Sequence, residues 1–130
     1  MSFGDWLENA AVDWAFGGST PTRPSARWVS LHTGDPGDTG ANEQNGTNDL
    51  GYARKSATFG AASGGVASNS SAPSWTSSDT GDWTQSTHFG VWDAETGGNF
   101  LGGGALTTAR TLGPGDSATF AAASLTVTLT

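Results

Sequence analysis

A chain of 130 residues has the length of one domain and enough material for a real core, with roughly two-thirds of the unfolded surface removed from water on folding. Its formal net charge of -7, with Arg23, Arg27, Arg54, Lys55 and Arg110 as cations, leaves little to neutralise a row of phosphates and argues against a nucleic-acid partner. The absence of cysteine excludes structural disulfides and thiolate zinc sites, while six Trp and six Phe concentrate the apolar payload of a chain only 35% hydrophobic and 13% charged.

At the N-terminus, MSFGDWLENAAVDWAF carries Asp5, Glu8 and Asp13 where an export signal needs basic residues before an uninterrupted apolar run. No stretch approaches the ~20 apolar residues that a spanning helix requires, so the expectation is a product soluble in the cell that makes it, without a membrane partner. Phe3, Leu7, Ala10 and Trp14 recur at helical spacing, with Trp6 and Ala11 widening the stripe, and predict a short N-terminal α-helix. Ser2 with Asp5 reads as its cap and Gly17-Gly18 as its stop. Pro21 and Pro24 make the following segment an extended connector, so residues 1–25 read as a helical arm ahead of a β-domain over 26–130.

Beyond Ala26 the period changes to two. ARWVSLH sets Val29 and Leu31 against Trp28, Ser30 and His32, and YARKSATFG sets Ala53, Ala57 and Phe59 against Arg54, Ser56 and Thr58, as in half-buried strands. THFGVWDA and NFLGGGAL, joined by a Glu-Thr-Gly-Gly-Asn run from Glu95, predict a hairpin. Pro114-Gly115-Asp116 marks a tight turn, and Leu125, Val127 and Leu129 alternate with threonines in a final strand. Short strands without a second helix predict a mainly β fold, an antiparallel sandwich of the jelly-roll kind. ATFGAASGGV from Ala57 echoes ATFAAASLTV from Ala118; this is either alanine-rich coincidence or a pair of strands in equivalent positions of two sheets.

The loop of residues 33–51 offers Asp35, Asp38, Asn42, Glu43, Asn45, Asn48 and Asp49, all oxygen donors of the kind calcium prefers. Pro36 and Gly37 interrupt the spacing of a calcium loop, and turn geometry accounts for Asp35-Pro36-Gly37-Asp38 and Asn45-Gly46, so the segment reads as an exposed projection. His32 and His88 each share a strand face with a tryptophan, yet no third zinc ligand stands at suitable spacing. No Gly-x-Ser-x-Gly elbow is present, and a chain of this size has little room for a two-carboxylate cleft; no enzyme activity, metal or cofactor is expected.

Trp75 and Trp83 flank TSSDTGD. Either they close one end of the sandwich, or one lies on the surface as a platform for sugar or an anchor for a protein. Sheet edges are usually guarded by lysine or proline, and this chain has one lysine; neighbouring copies covering the edges would account for solubility. In that arrangement Phe3, Trp6, Leu7 and Trp14 lie on another surface, and the expected partner includes the chain itself.

The segments SLHTGDPGDTGANE, YARKSATFGAASGGVASNS, THFGVWDAETGGNFLGGGALTTARTL and GDSATFAAASLTVTL together resemble a family of small tailed-phage virion proteins labelled head fibre, head decoration or tail fibre proteins. The resemblance implies a structural, non-enzymatic role in the virion. A compact chain without a fibrous repeat suits a cement protein on the outer capsid better than a shaft. What the resemblance implies further is binding to the major capsid protein through the helix and a Trp-bearing face, and a homo-oligomer, a trimer, that buries strand edges. The alternative is a tail module contacting host carbohydrate through Trp75 and Trp83, and a third reading is a hydrolase of cell-surface polymer. NEQNGTNDLG and SWTSSDTGDWTQ depart from the family pattern and are where partner specificity would differ.

Overall fold

Alternation and turn chemistry partition the chain into nine short strands and one helix, described by a computed structural model over residues 1–129. Thr130, assigned above to the last strand, lies outside the described residues. In order these are β1 (Ser2–Phe3), α1 (Asp5–Phe16), β2 (Arg27–His32), β3 (Lys55–Ala57), β4 (Val66–Ser68), β5 (Ser74–Thr76), β6 (Ser86–Trp92), β7 (Phe100–Arg110), β8 (Ser117–Thr119) and β9 (Thr126–Thr128). Every pairing is antiparallel: a five-stranded sheet in the order β1-β7-β6-β2-β3, and two ribbons, β4-β9 and β5-β8.

The predicted hairpin is β6–β7. Trp92 stands opposite Phe100, Gly97 and Gly98 take the left-handed backbone that the turn needs, and Asp93 closes it by accepting from the Asn99 backbone and side chain at 2.6 and 2.8 Å. One face of the sheet contributes Val29, Leu31, Phe89 and Val91 to the core, and the ribbons contribute Trp75 and, partly buried, Phe120. Phe120 joins the two layers edge-to-face, with centroids 5.8 Å from both Trp75 and Phe89. The result is sandwich-like, with its second layer divided between the two ribbons.

The N-terminal segment is bound to this sheet and is not a separate arm. β1 pairs with Gly102 and Gly103 of β7, so the boundary expected at residue 25 is crossed by sheet hydrogen bonds. Ser2 therefore does not cap α1. Gly4 occupies the cap position without a side-chain acceptor; its own N–H donates to Leu101 O and that of Asp5 to Asp38 O. The helix stops where expected, at Gly17 in the left-handed region, whose N–H returns to Asp13 O at 3.0 Å.

The echoed segments hold equivalent positions. Each leaves a strand, β3 or β8, buries a phenylalanine in part, turns, and enters a ribbon strand; those strands, β4 and β9, pair with one another. Buried Asn69 ties the two together, donating to Ser71 O and Ala121 O and accepting from Leu125 N–H at 2.7 to 3.0 Å. At the end of β9 the expected alternation fails: Leu129 is 65% exposed because that strand has only β4 beside it and runs past the core.

Candidate interaction surface

Both faces of the sheet are covered along its inner strands β2 and β6. Along β2 the residues from Val29 to His32 are all buried, as are those from Phe89 to Trp92 along β6, in place of the half-buried strands that alternation predicts. The cover is the loop of residues 33–51, which folds back over the sheet and does not project. Pro36, Gly40 and Gln44 are buried beneath it, and an added Cβ at Gly40 would overlap the Trp92 ring. Gly90, in the middle of β6, gives room on the same face: a Cβ there would sit 2.7 Å from both Ser30 Oγ and His32 Nε2.

Under this cover runs a polar chain. His32 Nδ1 lies 2.6 Å from Ala41 O, and since a carbonyl only accepts, the proton is on Nδ1. Nε2 then accepts from the Ser30 hydroxyl at 2.7 Å, and Ser30 Oγ accepts from Trp92 Nε1–H at 2.9 Å. Burial holds the His32 pKa below the ordinary histidine value and outweighs the opposing effects of the Ala41 carbonyl and the Glu43 carboxylate. His32 faces His88 across the strand pair, but the His88 ring bonds Thr87 Oγ1 at 2.8 Å, and the two rings share no third ligand. Ser30 and His32 have a serine-base geometry with 0% exposure at both residues, so a substrate has no route to the hydroxyl.

Arg54, placed by alternation on a polar face, is instead buried. Its guanidinium grips Glu43 with Nε at 2.9 Å and Nη2 at 2.8 Å, donates Nη1 to Ala94 O and Gly97 O, and lies 3.7 Å over the Trp92 ring. Tyr52 donates to the same carboxylate at 2.9 Å, and burial pushes its phenol well above the ordinary range. Three more of the loop's side-chain oxygens are engaged: Asp35 accepts from Gly37 N–H, Asn45 from Thr47 N–H, and Asp49 from Thr84. Asp79, whose pKa is lowered by backbone N–H donors from Leu50 and Thr80, bonds the loop from the other side. Among the described residues no three acidic or histidine side chains converge on a common point.

Trp75 and Trp83 are inside, at 0% and 2% exposure, with indole N–H groups donating to Ala53 O and Leu50 O. They close the sandwich and are not surface platforms. The signal was present in PSWTS, where Pro73, Trp75 and Ser77 point inward at period two. The segments NEQNGTNDLG and SWTSSDTGDWTQ meet here: Trp83, Thr84 and Ser78 all bond residues 49–50.

Leu50, Val66 and Leu129 are exposed singly, whereas three exposed apolar side chains stand together at the end of α1, and β7 leaves an open edge. Phe3, Trp6 and Leu7 are half-buried, and Trp6 and Leu7 pack on their own core, so that face is not free for another surface. Past the sheet the last turns of α1 expose Val12, Trp14 and Phe16 at 59%, 73% and 86%; of these the periodicity singled out only Trp14. On β7, β1 covers Gly102 and Gly103, and the outer edge from Gly104 onward has no strand partner among the described residues. That edge reads Ala-Leu-Thr-Thr-Ala, with neither lysine nor proline to guard it. β7 also arches off β6: His88 pairs with Ala105 and Ser86 with Arg110, so two steps on one strand span five on the other. Between the arch and β8 opens a groove of about 740 Å³.

No curated protein matches the chain. The model of a family described as podophage GP4 fiber I protein gp80 matches residues 2–128, and the chain belongs to that family of phage virion fibre proteins.

Proposed function

We propose that the chain acts as a capsid decoration protein: a homo-oligomer, three copies about a symmetry axis, seated on the outer head surface against the major capsid protein and reinforcing the shell without catalysing a reaction. The observation that carries this reading is the exposed apolar end of α1. A buried aromatic side chain is a large favourable contact, and two such side chains, Trp14 and Phe16, left in water beside Val12 on a helix anchored to the sheet fit a contact that repeats from copy to copy. The unguarded β7 edge supports it. In the alternative, a tail module holding host carbohydrate, Trp75 and Trp83 supplied the stacking surface, and both are buried. The closed Ser30–His32 pair speaks for a structural component over a hydrolase.

The test adds purified protein to particles from a phage lacking its gene. Sedimentation with isolated heads, and a higher temperature for DNA release from those heads, is the expected outcome. Attachment to tails alone, or to neither, would overturn the reading.

A further inference from the structure

We infer that the end of α1 of one copy inserts into the β7–β8 groove of the next, so that copies join head to tail around the oligomer axis; this rests on the oligomeric reading above. The groove is lined by Leu106, Thr108 and Arg110 on the arch, Leu112 in the turn, and Ala118 and Phe120 after it. It is apolar at Leu106, Leu112 and Phe120 and hydroxyl-bearing at its margin, and its volume lies within the range that accepts bulky aromatic groups. Trp14 and Phe16 do not line the groove of their own chain and stand in water. Each copy therefore has an unpartnered apolar knob and an unpartnered groove in which Leu106, Leu112 and Phe120 stand among hydroxyl side chains.

Charge favours the same match. The last turn of α1 has no basic residue, so the negative pole of the helix and the nearby Asp13 carboxylate have no cation from their own element. Arg110, exposed at the groove, is a cation of the right sign in the right place. The acid at the groove, Asp116, is turned back to accept from Gly113 N–H at 3.0 Å. Because knob and groove are different surfaces, the contact is heterologous, and under the threefold rotation proposed above it closes into a ring.

The chain has no cysteine, which makes covalent trapping unambiguous. Phe16 and Thr108 are both exposed, and their substitution leaves the core intact. The double variant F16C/T108C, oxidised at micromolar concentration, is expected to run on a non-reducing gel as closed three-copy species, while each single variant stays uncrosslinked or stops at a low level of pairs. The variant W14S/F16S should shift wild-type oligomer to monomer by light scattering, with an unchanged circular dichroism spectrum. If wild type is oligomeric yet the double variant crosslinks no more than the single ones, the knob-in-groove contact is wrong and the oligomer stands. If F16C alone crosslinks efficiently, helix meets helix and the contact is wrong. If wild type is monomeric at all concentrations, the oligomeric reading fails as well.

Discussion

Arg54 holds the loop, the hairpin turn and the sheet at one point, through four hydrogen bonds and the Trp92 face. A lysine has the charge but neither the planar fork nor the ring-stacking surface, so Arg54→Lys should cost about 2 to 3 kcal/mol in urea unfolding, close to the cost of Arg54→Met. A Lys variant as stable as wild type would show that charge alone matters. His32 gives a pH dependence whose sign follows from its lowered pKa. The unfolded chain binds a proton near pH 6.5 and the folded chain only at lower pH, so this contribution is complete above about 6.5 and declines as pH falls. The decline has a slope of up to about 1.4 kcal/mol per pH unit until the folded value is reached. Protonation also makes Nε2 a donor, which leaves the Ser30 hydroxyl proton without its acceptor. His32→Gln should flatten the stability profile between pH 6.5 and 5, above the range where ordinary carboxylates titrate. An unchanged profile would mean that another group governs it.

At the scale of elements, two of the left-handed glycines in the loop over the sheet have different surroundings. Gly37 has φ +57° and open space around a Cβ, whereas Gly40 has φ +80° and meets the Trp92 and Phe100 rings. Gly37→Ala should cost about 1 kcal/mol of backbone strain alone, and Gly40→Ala about 3 kcal/mol once the ring contacts are displaced. Equal costs in thermal unfolding would remove the claim that the loop is packed. This is also where the sequence was hardest to read. β2, the β6–β7 hairpin and α1 announce themselves by period and turn residues, because those signals are local. The cover given by residues 36–44 leaves no period in a Gly, Asp and Asn-rich segment, and its complement lies about 50 residues away in Gly90, Trp92 and Phe100. Parity along β2 and around Arg54 assumed one wet face for the same reason. Ser2 misled as a helix cap because it pairs with Gly103 of β7, a contact about 100 residues distant. The groove was illegible too, since the arch of β7 appears only in its register with β6.

For the whole molecule, a buried polar network on one face and an aromatic core on the other leave a rigid body whose unused surface is a helix end, a groove and an open edge. Such a body is suited to assembly, where modest contacts gain by repetition. Cryo-microscopy of the intact virion tests this most directly. Density fitting this chain should repeat over the head lattice, with neighbouring copies in contact through α1. Density confined to the tail, or copies standing singly without touching one another, would contradict the account.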